Sequence, residues 1–402
     1  MARRADIVTR TLILLPFMFL LFILPFPGTV ALRLVCLAAA FLVAVFLWRK
    51  LAPPRIPCRP ALFAWAVVAL LSLAGAVDPA YSLGEIKNEV LYAMMTFVAF
   101  FAATRSEADL KQLLLALVAG ALLICTLALE SRLRLGVWND EGVFGGIAAF
   151  AGYAIALAPM LFLLGSLSAA PWRRASALGV FLLVDVTAFL SLQRIVWWTL
   201  ALQAGIAVFL LWRCGVLKMK RAALFACLAG IVLLAAGIFL AAQQQRFGGD
   251  DVETVTEDSR LGHWMPVLRR IAESPVRGAG FGRRALSKAH PDLIPEDNTL
   301  FWHAHNVFLN YGLEMGVPGM LALAWVFVSL LRTYWRLYST PDRILRPLGI
   351  AGLMLVSGVL LRNQVNDMFV RDEAILFWAL NGALLGAGVR RLSETKFARA
   401  SE

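Results

Sequence analysis

Charged side chains are scarce in this chain. Only 16% of its 402 residues are Asp, Glu, Lys or Arg, whereas 60% are hydrophobic. A mean hydropathy of +0.74 excludes an ordinary soluble domain of this length. Cysteine is also rare, and the five cysteines lie in apolar runs or in short basic segments. No disulfide framework or cysteine metal site is therefore expected, and the composition predicts an all-α polytopic membrane protein.

Twelve apolar segments approach the roughly 17–25 residues that a helix needs to cross a membrane. They lie near 11–27, 30–48, 61–77, 88–103, 110–129, 144–165, 176–191, 195–212, 222–242, 307–331, 344–361 and 373–389. The longest polar interruption follows the ninth segment. This spacing predicts spans 1 to 9 within 1–242, a large external loop at 243–304, and spans 10 to 12 with a tail at 305–402.

The basic residues are distributed unevenly between alternate loops. Of the 38 Lys and Arg residues, 23 lie in seven segments: 1–10, 48–61, 104–111, 166–176, 212–222, 332–347 and 390–402. Because Lys and Arg accumulate in short cytoplasmic loops, these segments and both termini should be cytoplasmic. The loop 243–304 then faces the opposite side. The net charge of +12 follows mainly from this topology, so nucleic-acid binding is not expected.

All four histidines lie in the 43 residues from His263 to His305. Since histidine exchanges protons near neutral pH, a catalytic site is expected in this external region. Asp258-Ser259 supplies capping side chains, and Ser274-Pro275 ends a helical pattern, which together predict an amphipathic helix over 259–273. Its predicted apolar stripe faces the membrane or the bundle mouth. Arg260 lies in its first turn, where an anionic group could bind. The stripe comprises Leu261, Trp264, Met265, Leu268 and Ile271.

Three glycines alternate with other residues in the segment Arg277-Gly-Ala-Gly-Phe-Gly-Arg-Arg284. Glycine allows positive φ angles and close approach of the backbone to phosphate, in which case Arg283 and Arg284 would bind substrate. An ordinary turn is the alternative interpretation.

The pair His303-Ala-His305 has the form of a metal-binding motif. Further ligands could come from His263, His290, Glu296 and Asp297, but the spacing matches no standard zinc site, and no metal is expected. We interpret His263 and His290 as surface side chains that form hydrogen bonds to water or to a backbone carbonyl. His305 differs because the chain re-enters a helix there, at the bilayer surface, where a base could meet a lipid-linked substrate.

Arginines also occur at the outer ends of apolar segments. Arg194 either stabilises helix-terminal carbonyls or has a function, because arginine near hydrocarbon is costly. The same alternatives apply to Arg362 and Arg371, which flank Asn363, Asn366 and Asp367.

These features together resemble the O-antigen ligase family, with its related O-antigen polymerases and protein O-oligosaccharyltransferases. The family motif is His, then Asn, Ser or Gln, nine residues, Gly, two residues, and Gly, Thr or Tyr. His305-Asn306, Gly316 and Gly319 fit it. Further similarity covers roughly 180–385 and includes Ser259-Arg260, Trp264, 275–282 and 365–367. Gln193-Arg194 departs from the family's usual Ser-Arg.

The resemblance implies a GT-C-type glycosyltransferase of the bacterial inner membrane that works on the periplasmic face without cofactor. The donor would be O-antigen on undecaprenyl pyrophosphate, and the acceptor would be lipid A–core oligosaccharide. His305 would be the general base, and Arg260 and Arg194 would stabilise the leaving pyrophosphate. Asn306 would orient the histidine or cap the helix. His303 and Trp302 would contact substrate, with a membrane-belt role as the alternative for Trp302.

Three other functions are compatible with these features. A polymerase or a protein O-oligosaccharyltransferase would use the same donor and the same histidine and arginine chemistry. A transporter also has about twelve spans, but the chain shows no internal repeat and almost no ionisable residue within its spans. Asp185 is the clearest exception and could pair within the bundle or relay protons.

Overall fold

The computed structural model describes residues 2–51, 54–135, 146–190, 193–218, 220–221, 259–294, 302–365, 369 and 371–400. This part of the chain is helical and contains no β-strand. In the first half the helices are α1 Ala2–Ile23, α2 Val30–Leu51, α3 Arg59–Leu71, α4 Pro79–Glu85, α5 Tyr92–Ala103, α6 Glu107–Leu135, α7 Gly146–Ser166, α8 Pro171–Leu190 and α9 Arg194–Arg213. The second half contains α10 Ser259–Glu273, α11 Ala285–Ala289, α12 Val307–Ser339, α13 Leu345–Arg362 and α14 Arg371–Ala400. A 3₁₀ turn follows α3 at Ser72–Gly75, another lies at Pro291–Leu293, and the π-helical turn Ile86–Leu91 joins α4 to α5.

Eleven of the twelve predicted spans coincide with helical segments, and the remaining one, 222–242, lies outside the described residues. Six helical segments in the described part are long and apolar enough to cross a membrane. They are Val30–Lys50, Pro79–Ala103, Glu107–Arg134, Ile195–Arg213, Val307–Ser339 and Leu345–Arg362. Shorter apolar helical stretches occur at Arg10–Ile23, Arg59–Gly75 and Phe150–Ser166. The chain is therefore an all-helical, multi-pass membrane protein, while the count of twelve spans and the GT-C architecture stay predictions.

The core of the bundle forms where α3, α5 and α14 meet. Trp65 stacks on Trp378 with ring centroids 5.5 Å apart, and Phe97 meets the same indole edge-on. On α14, Gly382 allows close approach, because a Cβ there would lie 2.5 Å from the carbonyl oxygen of Phe97. Small residues at such contacts are typical of membrane helices, whose association depends on close packing rather than on the hydrophobic effect.

The two ends of the bundle differ in charge. At one end, Arg390 donates to the carbonyls of Phe101 and Thr104, Arg391 pairs with Asp342, and the Lys111 ammonium donates to the Leu167 carbonyl. These contacts bring together the basic segments predicted to be cytoplasmic. The loop that contains His305 lies at the other end, where α12 begins and α13 ends. The structure thus separates the basic end from the histidine end, as the predicted topology requires.

A break in α12 docks the external segment onto the bundle. Gly316 has a φ of +71°, and Pro318 lacks the N–H that would bond to the carbonyl of residue 314. The N–H of Val317 is turned to the carbonyl of Pro275, at 2.7 Å. The carbonyls that the break leaves available, at residues 313 and 314, accept the N–H groups of Ala279 and Gly280. The motif glycine therefore has a structural role: it bends α12 and exposes backbone acceptors.

The predicted external helix is present with the bounds Ser259–Glu273. Val267 and Ile271 are buried in a small apolar cluster with Leu309 and Leu313 of α12, so this face lies at the bundle mouth. Only part of the predicted stripe packs on the bundle. Met265 and Leu268 of that stripe are 56% and 43% exposed.

Candidate active site

Residues 302–306 join the external segment to α12, and Asn306 fixes this junction. Its side-chain oxygen accepts the backbone N–H groups of Phe308 and Leu309, at 2.9 and 3.2 Å, which caps the helix. Its side-chain nitrogen donates to the carbonyl of Gln364 at 3.2 Å. A backbone bond from Val307 to the carbonyl of Asn363 reinforces the same junction. Asn306 therefore caps α12 and also ties its first turn to the end of α13.

His303 is enclosed by aromatic and basic groups. The ring is 3% exposed and lies between Trp302 and His305, with centroid distances of 4.4 and 3.9 Å. The guanidinium of Arg283 stands over the Trp302 ring and comes within 3.2 Å of His303 Nε2. Burial, followed by the charge of Arg283, lowers the pKa of His303 to about 2. The ring is therefore neutral at physiological pH.

The neutral ring of His303 faces two donors. The backbone N–H of His305 approaches Nδ1 at 3.1 Å, and Arg283 approaches Nε2. A neutral imidazole has one protonated nitrogen and can accept at only one of these positions. If Nδ1 accepts the backbone N–H of His305, the ring proton is on Nε2. The Nε2–H and the guanidinium of Arg283 can then both donate to an acceptor placed next to them. This geometry suits an anionic oxygen.

His305 adopts a strained backbone conformation, with a φ of +49°. A residue with a Cβ loses on the order of 1 kcal/mol in this region, so its neighbours must hold it there. Two side chains fix the backbone of Ala304, the residue before it. The N–H of Ala304 donates to the side chain of Asn310 at 2.9 Å, and the indole N–H of Trp264 donates to the Ala304 carbonyl at 2.8 Å. Such strain is typical of functional positions.

His263 belongs to this cluster, contrary to the surface position expected for it. The residue is 6% exposed on the face of α10 that packs against the bundle. Burial, and to a smaller extent the charge of the nearby His305, lowers the pKa of His263. The sequence interpretation was wrong because the burial arises from contacts between α10 and α12, which no local pattern reveals.

The two arginines predicted to contact the leaving group lie at helix starts, where the structure describes their backbones but not their side chains. Arg260 precedes His263 by three residues in α10 and so shares its helical face. Arg194 begins α9. Near the far end of that helix, the Leu210 carbonyl accepts from Tyr338, which lies near the basic end of α12. The start of α9 is thus at the same end of the bundle as His305.

The glycine-rich segment 277–284 packs against helices. A Cβ at Gly278 would collide with the backbone of Glu314, and Gly280, with a φ of +105°, lies against the 3₁₀ turn after α3. Close packing accounts for these glycines and favours the turn interpretation over a phosphate loop. Arg283 reaches His303, whereas Arg284 is exposed and is held through its backbone: the N–H donates to the Tyr81 hydroxyl at 3.2 Å, and the carbonyl accepts from Ser287 and Lys288.

Several other candidate residues lie elsewhere or are outside the description. His290 ends α11 and is half-buried, with burial and the charge of Arg270 lowering its pKa. Arg362 is buried at the end of α13, beside the junction with α12, whereas Arg371 is exposed and has a φ of +46°. Within the described residues, no group of three or more His, Cys, Asp or Glu side chains is arranged to hold a metal ion. The proposed ligands Glu296 and Asp297, and residues 366–368, lie outside the description.

The sequence model of the family described as O-antigen ligase matches residues 178–324. Residues 178–324 therefore carry a domain similar to that of O-antigen ligases. The match covers most of α8, α9, the external segment and the first half of α12, and so includes His305, Gly316 and Gly319. Such a domain implies a glycosyltransferase-like enzyme of the O-antigen ligase group. No curated protein matches the chain.

Three residues that shape the site could not be assigned to it from the sequence. Asn310 holds the backbone at Ala304, Gln364 receives the side chain of Asn306, and His263 packs beside the histidine pair. A signal existed for Asn310, because it lies four residues after Asn306 and shares its helical face. Gln364 lies outside the matched residues, and only the packing of α13 against α12 brings it to the site.

Proposed function

We propose that the protein is an O-antigen ligase that transfers a glycan from undecaprenyl pyrophosphate to lipid A–core oligosaccharide. Three findings support this function: the family of residues 178–324, a multi-pass helical bundle, and a polar site at the end opposite the basic segments. In a bacterial inner membrane with the predicted topology, this site faces the periplasm, where both lipid-linked substrates would be within reach.

His305 is the proposed general base. The observation that carries this assignment is its positive φ in a loop at the start of α12. The preceding residue, Ala304, is held by Asn310 and Trp264, and the following residue, Asn306, caps the helix. The acceptor hydroxyl oxygen attacks the anomeric carbon of the donor while His305 takes the hydroxyl proton. The bond between that carbon and the pyrophosphate oxygen breaks, and undecaprenyl pyrophosphate leaves. Attack from the face opposite the leaving group inverts the anomeric centre.

Arginines provide the charge that the leaving pyrophosphate needs. Arg260 and Arg194 are the proposed leaving-group ligands, because guanidinium groups form paired, charge-assisted hydrogen bonds to phosphate. Arg283 is a further proposed phosphate ligand, and His303, 3.2 Å from it, is a second donor in the tautomer that carries the proton on Nε2. We assign Asn306 to positioning the loop, Trp302 to stacking on a sugar, and the exposed Arg284 to glycan phosphate or hydroxyl groups. This chemistry requires no metal ion.

Transfer by the reconstituted protein tests the proposal. Purified protein in liposomes would receive undecaprenyl pyrophosphate-linked glycan and lipid A–core in the presence of a chelator, and the product would be read as a shifted lipopolysaccharide band. Wild-type protein should be active, and His305→Ala and Arg260→Ala should each lose at least about 100-fold. His290→Ala and Arg269→Ala are matched controls, because these residues lie on the same external segment, and Arg269 is exposed.

The other outcomes are equally informative. Elongation of the donor without modification of lipid A–core would replace the ligase with a polymerase. Full activity of His305→Ala would refute the general base. Activity that the chelator abolishes would refute the metal-independent mechanism and turn attention to the histidine cluster.

A further inference from the structure

A polar cavity lies at the basic end of the bundle, far from the histidine cluster. It has a volume of about 520 Å³, within the range of small-molecule sites. Its walls come from α1, α2, α5, the loop before α6, and α14. Its lining includes Arg10, Trp48, Arg105, Ser106, Arg390 and Glu394. Two candidate membrane-spanning helices, Val30–Lys50 and Pro79–Ala103, end at this cavity, so it lies at the level of the membrane surface.

The charge in the cavity is mainly positive. Arg10 and Arg105 are half-buried, and in the described part of the chain neither guanidinium has an ion-pair or hydrogen-bond partner. Arg390 is held in place by four backbone carbonyls around the end of α5, so its charge is fixed at the wall. The acid of the lining, Glu394, is 66% exposed and pairs with Arg391 at 3.5 Å. Asp109 lies nearby and accepts the backbone N–H of Arg105.

The surroundings of the cavity favour a lipid over a free ion. Trp48 is 38% exposed at the rim, and indole rings of this kind lie at the headgroup level of a bilayer. Leu47 of the same helix turn is also part of the wall. Basic pockets between membrane helices on the cytoplasmic side bind anionic headgroups, since guanidinium groups pair with phosphate while acyl chains remain in the bilayer.

We propose that this cavity binds the phosphate headgroup of an anionic phospholipid from the leaflet that faces the basic end. Arg10 and Arg105 contact the phosphate oxygens, Arg390 supplies a fixed positive charge, and the Ser106 hydroxyl lies within the same wall. The bound lipid joins α1, α2, α5 and α14, four helices that meet at this point. The site is separate from the glycan-transfer site and does not depend on the function proposed for it.

Binding to the purified full-length protein in neutral detergent micelles tests this inference, with lipid adducts counted by native mass spectrometry. The probes are phosphatidylglycerol, diacylglycerol without phosphate, and inorganic phosphate. Phosphatidylglycerol should form a retained one-to-one adduct. A contribution of about fivefold from each arginine near a headgroup predicts roughly 30-fold weaker binding in Arg10→Gln/Arg105→Gln, and about fivefold weaker binding in Arg105→Gln alone.

The control variant is Arg332→Gln/Arg336→Gln. It removes the same charge from exposed positions near the basic end of α12, outside the cavity, and should bind within about twofold of wild type. Equal losses in both double variants would show a general charge effect and overturn the proposal. Equal retention of diacylglycerol would overturn the role of phosphate. Full competition by inorganic phosphate at the lipid's own concentration would overturn the lipid as occupant. The unfolding midpoint of each variant without lipid confirms that it is folded.

Discussion

The strained backbone at His305 predicts that the usual order of stability of Ala and Gly variants is reversed at this position. At most positions Ala is more stable than Gly by about 0.4–1 kcal/mol, because Gly has more freedom in the unfolded chain. At a φ of +49° the order should reverse, because only Gly adopts this conformation without strain. We expect His305→Gly to be more stable than His305→Ala by about 1 kcal/mol.

The comparison with wild type follows from the same contacts. Either substitution removes the ring that lies 3.9 Å from His303, which costs about 1 kcal/mol. In His305→Gly the relief of strain offsets this loss, so its stability should be close to that of wild type. In His305→Ala the loss remains. Unfolding in mixed micelles with increasing denaturing detergent measures these differences, and the transfer assay is run on the same preparations.

Both variants should lose transfer by about 100-fold or more, because neither can take the proton. A His305→Gly protein that keeps wild-type stability and loses activity would show that the strain is kept for function. The reasoning fails if His305→Ala is as stable as His305→Gly, since the positive φ would then not be present in solution. It also fails if either variant transfers glycan within about tenfold of wild type.

Three further predictions concern the surroundings of this residue. Asn306→Ala should lower the free energy of unfolding by about 2 kcal/mol, because the helix cap and the bond to Gln364 are both lost, whereas Asn306→Ser, which retains a cap, should lose about half of that. Gly278→Ala should destabilise by about 1–3 kcal/mol through overlap with the α12 backbone, while Gly262→Ala, at an open helical position, should be stabilising in the same unfolding assay. Burial lowers the pKa of His303 from 6.5 to about 2, so protonation of this ring favours the unfolded chain, and the free energy of unfolding should fall by roughly 1 kcal/mol as the pH drops from 7.5 to 5.5. His303→Gln should remove that part of the pH dependence, and unfolding of both proteins at pH 7.5 and 5.5 measures it.

The helices could be predicted because their signals are local. Apolar runs mark the membrane segments, and the bounds of α10 follow from a capping pair before Ser259 and the Ser274-Pro275 pair after Glu273. The orientation of α10 could not be predicted in the same way. Its sequence contains apolar residues on a wide arc, and only contact with α12 decides that Val267 and Ile271 are buried while Met265 is exposed.

The candidate site also has a part that could be predicted from the sequence and a part that could not. Its motif residues, His305 and Asn306, are recognisable from their spacing to Gly316, and the structure places them together at the start of α12. The arrangement of the supporting residues depends on distant parts of the chain. Gln364 arrives from α13, and His263 from α10. The glycines of 278–282 suggested phosphate binding from composition, yet their small size is explained by helices that lie against them.

The break in α12 connects the fold to the proposed chemistry. Because Pro318 and Gly316 interrupt the helical hydrogen bonds, residues 279 and 280 pair with α12 backbone that an unbroken helix would have occupied. That pairing fixes the start of the segment that leads to Arg283, whose guanidinium meets His303. Gly316, eleven residues after His305, thus helps to determine where Arg283 lies. The helix starts add positive charge at the same place. The helices α9, α10 and α12 all begin at this end of the bundle, and each presents the partial positive charge of a helix N-terminus there. An anionic leaving group at this position would be stabilised by the fold as well as by the arginines.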